Sequence, residues 1–167
     1  MNISRKSLFV LAATFAFAPA AGAAVDTADV IVTATVANGC LIDAGSVDFG
    51  PYDTQDVNDD LATGDVTVNC NVGTSGTITL SQGANPRANS TNDIPLRAMA
   101  GSVSGFLRYH LYQDAGRADV WGNTAPTGVL YAGTGVAQQV VIFGTIPALQ
   151  AAVGGNYIDT VVATVTF

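Results

Sequence analysis

The sequence predicts an exported all-β protein whose strands form a sandwich or a barrel. Three observations lead to this prediction. The composition is rich in small, β-branched and uncharged polar residues, with only 11% charged residues and no glutamate. Short segments that alternate apolar and polar residues recur between turn-forming stretches. The chain also begins with a short apolar run that follows two basic residues.

Residues 1–23 have the features of a secretory signal peptide. Arg5 and Lys6 form the basic region, residues 8–18 form the apolar region, and Ala21-Gly22-Ala23 is a small-x-small cleavage motif. A membrane anchor is the alternative, but the apolar run is shorter than the roughly 20 residues that cross a bilayer. We therefore expect the mature chain to begin at Ala24 and to form one domain with its own core.

The mature chain is strongly acidic. Without Arg5 and Lys6, four arginines stand against thirteen aspartates, which gives a net charge of −9. Nucleic acids and anionic lipids bind basic surfaces, so neither is an expected partner. No second apolar span follows the leader, and we expect no membrane insertion.

Two cysteines remain in the mature chain, Cys40 and Cys70. In an oxidising compartment a single pair is most simply a disulfide. Free thiols and a metal site are the alternatives. A metal site would need more soft ligands than two cysteines and one histidine supply.

The first half of the mature chain has two clear strand patterns. Residues 25–37 alternate, which places Val30, Val32, Ala34 and Val36 on one face, and Asn38-Gly39 predicts a turn after them. Residues 65–72 alternate in the same way and point Cys70 into the core. Residues 53–65 are rich in aspartate and are predicted to be a loop.

The second half contains further short strands separated by glycine-rich connections. Residues 123–135 and 147–155 are predicted connections, the second with room for one helical turn. The predicted strands lie at 76–81, 94–99, 106–112, 138–143 and 157–167.

Candidate catalytic and binding residues are few, and we expect neither an enzyme nor a cofactor. His110 is the only histidine, shares a strand face with Arg108 and has no accompanying nucleophile motif, so a solvent-facing position is expected. Residues 56–60 begin like a calcium loop, but Leu61 and Thr67 stand where glycine and an acidic residue are needed, so we expect no metal. Trp121 could stack on a sugar, but a core position is the expectation.

Several short motifs, in this order and spacing, resemble the spore coat protein U domain family. This is the domain of archaic, Csu-type chaperone–usher pilus subunits. The resemblance covers nearly the whole mature chain, and its C-terminal block is the most specific part. The motifs are the alternating segment before Gly39-Cys40, Val47-Asp-Phe49-Gly50, Val66-Thr-Val68-Asn-Cys70, Leu107-x-Tyr109-x-Leu111-Tyr112-x-Asp114, Trp121-Gly122, Phe143-Gly144-x-Ile146-Pro147, Gly155-x-Tyr157-x-Asp159-Thr160-Val161 and Val165-x-Phe167.

The resemblance implies an incomplete immunoglobulin-like β-sandwich that a donor strand from another subunit completes. In the family a periplasmic chaperone supplies this strand first. The N-terminal segment of the next subunit replaces it at the outer-membrane usher. The implied function is therefore a structural subunit of a surface pilus, exported through the periplasm, that supports adhesion or biofilm formation. The implied partners are the chaperone, the usher and identical or related pilus subunits.

The family pattern assigns roles to particular residues of this chain. Residues 24–39 correspond to the donor segment, with Val30, Val32, Ala34 and Val36 as its plugs, and residues 40–167 correspond to the sandwich domain. The acceptor edge, which is also the chaperone contact, corresponds to Val161, Ala163, Val165 and Phe167. Without the resemblance, residues 25–37 could equally be the first strand of their own domain.

Two other functions compete with the structural pilin. One is a carbohydrate-binding domain or tip adhesin, although the family's tip subunits usually carry a second domain and need no donor segment of their own. The other is a self-complete secreted coat protein. A self-complete sandwich is expected to fold alone as a stable monomer.

Overall fold

The computed structural model describes Gly22 and residues 24–167, so the predicted signal peptide lies outside the described residues except for Gly22. The chain divides into two compact units, residues 1–35 and 36–167. In the first unit, residues 24–35 carry no strand, and Val30 and Val32 are 86% and 88% exposed. The strand predicted over 25–37 is therefore absent, since an extended segment becomes a strand only when its peptide groups pair with a neighbour.

The second unit contains nine described strands. They are β1 (Cys40–Ala44), β2 (Asp60–Cys70), β3 (Ser75–Leu80), β4 (Arg97–Gly101), β5 (Phe106–Tyr112), β6 (Val129–Ala132), β7 (Gln138–Ile146), β8 (Tyr157–Ile158) and β9 (Ala163–Thr166). They form a six-stranded sheet in the order β1-β2-β7-β5-β4-β8 and a three-stranded sheet in the order β6-β3-β9. All of the pairings are antiparallel, which confirms the all-β prediction.

The core lies between the inward faces of these two sheets. The alternation predicted for β2, β3 and β5 is confirmed, because their inward side chains are 0–5% exposed. Trp121 is also fully buried, as predicted, and its indole Nε1 donates to the Ile78 carbonyl at 2.9 Å. The fully buried apolar side chains are Val66, Val68, Cys70, Ile78, Leu80, Leu107, Tyr109, Leu111, Trp121, Tyr131, Ile142 and Ile146.

The predicted disulfide is confirmed. Cys40 and Cys70 lie opposite each other in the β1–β2 pair, and their Sγ atoms are bonded. The turn predicted at Asn38-Gly39 is wrong. The Gly39 carbonyl accepts a hydrogen bond from the Asn71 amide at 3.0 Å, which continues the β1–β2 ladder beyond the disulfide.

Several strand boundaries differ from the predictions because pairing with a neighbour overrides local composition. β2 begins at Asp60, inside the predicted loop, since Asp60 pairs with Ile146 on β7. β4 begins at Arg97 rather than at residue 94, and β6 lies inside the predicted connection 123–135. Val72 follows the end of β2 and is exposed.

The predicted C-terminal strand is divided between the two sheets. β8 pairs with β4 in the six-stranded sheet, and β9 pairs with β3 in the three-stranded sheet. The connection 147–155 contains no helical turn. Instead, the buried Gln150 side chain binds the backbone N–H and C=O of Arg108 at 2.9 Å each and holds this connection against β5.

Candidate strand-acceptor groove

The strand register defines two ends of the sandwich. The disulfide end is where β1 and β7 begin and β2 ends, at Cys40, Gln138 and Cys70. The distal end is where β2 and β5 begin and β7 ends. β1 runs from the disulfide end towards the distal end, and the chain from β8 to β9 runs the opposite way.

β1 and β9 are two edge strands that approach each other without pairing. β1 pairs only with β2 and β9 pairs only with β3 among the described strands, so each has one side without a hydrogen-bonded neighbour. The inward side chains of both edges are half-buried, in contrast to the fully buried β2 and β3. These half-buried residues are Cys40 and Ile42 on β1, with Val161, Ala163 and Val165 on the other rim.

A cavity of about 430 Å³ opens between these two edges. One wall is the segment 44–47, which continues from β1, and the other wall is the segment 157–163. Its floor consists of core side chains, namely Val66, Leu80, Leu111 and Ile142. An apolar core is therefore reachable from outside between the segments 44–47 and 157–163.

A second cavity, of about 760 Å³, extends the gap towards the distal end. Its walls are the segments 47–52 and 152–157, and its floor includes Leu107 and Ile146. The two cavities share Val47, Phe49, Met99 and Tyr157 in their linings, so these four side chains mark the constriction between them. We call the two cavities together the groove.

The arm formed by residues 44–52 was not assigned a role from the sequence. No strand is assigned to its second half, yet Val47, Phe49 and Tyr52 pack against the core. Gly144 lets the arm lie close to β7, since a Cβ there would stand 2.7 Å from the Phe49 ring and 2.9 Å from Val47. The apolar spacing of Val47, Phe49 and Tyr52 was the available signal for this rim.

Asp159 fastens the other rim to the body of the domain. Its carboxylate accepts hydrogen bonds from the Tyr109 hydroxyl at 2.7 Å, from the Ala84 amide at 2.9 Å and from the Asn85 side chain at 3.1 Å. Burial and the bond to Asp159 raise the pKa of Tyr109. Two bonds between Ser81 and Val162, both 2.9 Å, continue the attachment towards β9.

Arg97 is a buried cation behind this rim. Its guanidinium donates to the carbonyls of Leu80, Ser81 and Trp121 at 2.8–2.9 Å and so links the two sheets, while Nη1 has no hydrogen-bond partner among the described residues. Burial lowers the pKa of Arg97 to about 10, and the nearby Tyr109 and Asp159 oppose that shift. The sequence offered no signal for this role.

The other candidate residues do not assemble into a site. His110 is half-buried rather than solvent-facing, and its ring lies 6.1 Å from the Tyr112 ring. Within residues 24–167 no group of three His, Cys, Asp or Glu side chains is arranged to hold a metal ion. The Asp56 carboxylate instead accepts bonds from Asn58, whose amide lies 2.9 Å away.

The predicted donor and acceptor residues have different surroundings. The side chains of the predicted plugs Val30, Val32, Ala34 and Val36 are exposed. Of the predicted acceptor edge, Val161, Ala163 and Val165 pack against the core cluster, whereas Phe167 is 56% exposed.

In the part of the chain that the structure describes, no helix has the length and apolar character needed to span a membrane.

Comparison with known proteins finds similarity to a domain family, to a curated protein and to solved structures. The Spore Coat Protein U domain model matches residues 26–164. Protein U of Myxococcus xanthus is 42% identical over 166 residues, which cover 93% of this chain and 92% of that protein. The solved CsuC–CsuE chaperone–tip adhesion subunit pre-assembly complex, from archaic chaperone–usher Csu pili of Acinetobacter baumannii, matches with a TM-score of 0.59 and 26% identity. That match covers 80% of this chain but only 40% of the solved chain.

Proposed function

Because the chain belongs to the spore coat protein U domain family, we propose that it is a structural, non-enzymatic subunit of a chaperone–usher surface pilus that polymerises by donor-strand exchange. The observation that carries the proposal is the groove, in which core side chains lie open between two unpaired strand edges. An inserted strand from another chain repairs both defects, since its main chain pairs with the edges and its alternate side chains fill the cavities.

The occupant we propose is the segment 24–39 of another copy or of a related subunit. The family match begins at residue 26 and so includes this segment. Four plug positions from Val30 to Val36 span six residue steps, or about 20 Å, which suits a groove flanked by the nine-residue stretch 157–165.

We propose that the donor strand runs antiparallel to the rim 157–166. β1 and β9 run in opposite directions, so an inserted strand is antiparallel to only one of them. Residues 152–163, which lead into β9, flank the whole groove, whereas β1 has only five residues. Antiparallel pairing is also slightly more stable per residue.

This orientation assigns each plug to a place in the groove. Val30 and Val32 fill the cavity near the disulfide end, and Val36 fills the distal cavity. Ala34 falls at the constriction formed by Phe49, Met99 and Tyr157, where the smallest plug is needed. The lack of space at the constriction therefore explains why the plug at position 34 is an alanine.

Burial of the plugs is not enough to hold the strand in place. Three buried valines contribute roughly 5–9 kcal/mol, whereas ordering seven residues costs about 1–2 kcal/mol each. The main-chain ladder along both rims supplies the remainder. A chaperone is proposed as an earlier partner because the matched solved chain is part of a chaperone–subunit complex. The proposed route leads through the periplasm and an outer-membrane usher to the cell surface, where the fibre supports adhesion or biofilm formation.

The decisive experiment replaces Val32 with aspartate. A buried, unpaired carboxylate costs about 3–5 kcal/mol, so we expect fibre yield to fall by more than 100-fold. The chaperone complex should form normally, since the chaperone strand occupies the groove at that stage. Fibres are counted by electron microscopy of cells that carry the chaperone and usher.

Thr33→Asp is the matched control for this experiment. It places the same charge one residue away, on the opposite face of the alternating segment. We expect the control to assemble at close to the normal level. Normal fibres from the Val32→Asp chain would show that these residues are not the plugs.

A self-complete secreted coat protein is the second candidate, favoured by the description of the matching family as a spore coat domain. It requires the groove to be filled from within the same chain. The mature chain expressed without a chaperone separates the two functions. A stable, well-folded monomer would support the coat protein and contradict the pilus subunit.

A further inference from the structure

Each end of the sandwich carries a cluster of exposed apolar side chains. At the distal end, Ile158, Ala100 and Phe106 are adjacent across three strands, and both Ile158 and Phe106 are more than half exposed. The equally exposed Val103 lies in the turn that joins β4 and β5, close to Gly155, and Val153 lies in the wall of the distal cavity. We call these residues, namely Ala100, Val103, Phe106, Val153 and Ile158, the distal patch.

The disulfide end carries the second cluster. Leu41, Val72 and Val136 are each more than half exposed. Val72 lies against Gly135, the residue before Val136, and Gly135 lines the same surface hollow as Leu41. We call Leu41, Val72 and Val136 the disulfide-end patch.

A short linker, residues 37–39, joins the last plug to the sandwich domain and brings these two patches together in a fibre. In the proposed orientation the donor strand leaves the groove at the distal end, beside Val153 in the wall of the distal cavity. Only Ala37, Asn38 and Gly39 separate the last plug from Cys40 of the subunit that supplies the strand. Three residues and their flanking bonds reach at most about 14 Å.

Asn71 restricts this linker further. Its amide donates to the Gly39 carbonyl at 3.0 Å, and its side-chain Nδ2 donates to the Ala37 carbonyl at 2.8 Å. The linker is therefore held in line with β1 rather than turned back. The disulfide-end patch, which surrounds Asn71, then faces the distal patch of the subunit ahead.

We propose that the disulfide-end patch of each subunit packs on the distal patch of the next copy of this chain, as a second contact at every joint. The proposal rests on the proposed function, because the donor strand brings the two patches together. The contact is heterologous and propagates along an open fibre. Each patch is too small for a stable interface by itself, so it forms only when the strand tethers the two subunits at high effective concentration.

Cross-linking of assembled fibres tests this contact. The described chain has no free cysteine, so the double variant Val136→Cys, Phe106→Cys offers one new thiol in each patch. Neither position lines the groove. A short bismaleimide applied to purified fibres should give a ladder of covalent oligomers on a denaturing gel.

The matched control is the pair Leu130→Cys, Phe106→Cys. Leu130 is as exposed as the patch residues but lies on β6, outside both patches. We expect about tenfold more covalent oligomer from the patch pair than from this control, given the millimolar effective concentration that a short tether sets. Equal cross-linking by the two pairs would overturn the proposal.

Fibre stiffness provides a second readout. The variant Val103→Thr, Phe106→Thr removes apolar surface from the distal patch without touching the groove. We expect normal fibre yield with a persistence length reduced by roughly half, since only the strand and the short linker then hold the joint. An unchanged persistence length would also contradict the second contact. Absence of fibres from the unaltered chain would instead contradict the proposed function.

Discussion

Replacing Asp159 with asparagine should destabilise the groove rim although it changes only one functional group. The carboxylate accepts three hydrogen bonds, including a 2.7 Å bond from the Tyr109 hydroxyl. An asparagine keeps one oxygen acceptor and turns an amide towards one of these donors. Loss of the charge-assisted bond to Tyr109 costs about 1–2 kcal/mol.

The buried Arg97 adds to this cost. Burial already disfavours its charged form, since it lowers the pKa to about 10, and Asp159 is one of the two groups that oppose this shift. Without Asp159 the cation keeps its three carbonyl partners but loses the nearby negative charge. We expect a total loss of about 2–4 kcal/mol in the free energy of unfolding.

Urea unfolding measures this loss, with the single, fully buried Trp121 as the fluorescent reporter. A synthetic peptide of residues 24–39 is present in excess, so that the groove is filled to the same extent in every variant. Asp43→Asn is the matched control, because Asp43 is exposed on β1 and should change stability by less than about 0.5 kcal/mol.

A double-mutant cycle with Arg97→Met measures the coupling energy between Asp159 and Arg97 separately from the hydrogen bonds that each residue makes. If Asp159 stabilises the Arg97 cation, the two substitutions together should cost about 1–2 kcal/mol less than the sum of the single effects. Strict additivity, or an Asp159→Asn chain as stable as the Asp43→Asn control, would refute this account of the rim.

Two further predictions concern the constriction and the buried histidine. Ala34→Phe should abolish fibre assembly, since the ring cannot pass Phe49, Met99 and Tyr157. Thr35→Phe, on the opposite face of the segment, should assemble normally. Equal fibre yields from the two variants on electron micrographs would contradict the proposed register. Burial lowers the pKa of His110, and the positive charges of Arg97, Arg108 and Arg87 add to this shift, whereas the negative charge of Asp59 opposes it. The unfolded chain therefore binds a proton before the folded chain does as the pH falls below about 6.5. Stability should therefore decrease with falling pH from that point, and His110→Gln should remove this part of the dependence in urea unfolding at pH 5 and pH 8.

The parts of the fold that alternation predicted are those buried on one face. β2 and β5 show this, since Val66 and Leu107 are at most 3% exposed and their neighbours are more exposed. In β3, Ile78 and Leu80 are buried as predicted, but Thr79 between them is buried as well. Backbone pairing with neighbouring strands determined the position and length of the remaining strands. β6 is a four-residue edge strand in a glycine-rich stretch, and the division of 157–167 depends on whether β4 or β3 lies beside each half.

The groove could not be predicted from periodicity. Its rims alternate like any half-buried strand, and only the three-dimensional arrangement shows that their inward side chains face a gap. The polar contacts of Arg97 and Asp159, which attach the rim to the domain, could not be predicted from the sequence either. Arg97 and Asp159 are 62 positions apart in the sequence, and neither residue type indicates burial by itself.

The negative charge of the chain opposes uncontrolled pairing at its open strand edges. Two strand edges without a hydrogen-bonded neighbour, next to an apolar groove, form a template for uncontrolled pairing. With no lysine or glutamate in the mature chain, thirteen aspartates give every copy the same negative sign, which opposes random association at a distance. The proposed donor segment carries Asp26 and Asp29, so charge would not attract it to the equally acidic subunit. In the proposed assembly, recognition then depends on the fit of the proposed plugs to the cavities once a strand has been delivered there.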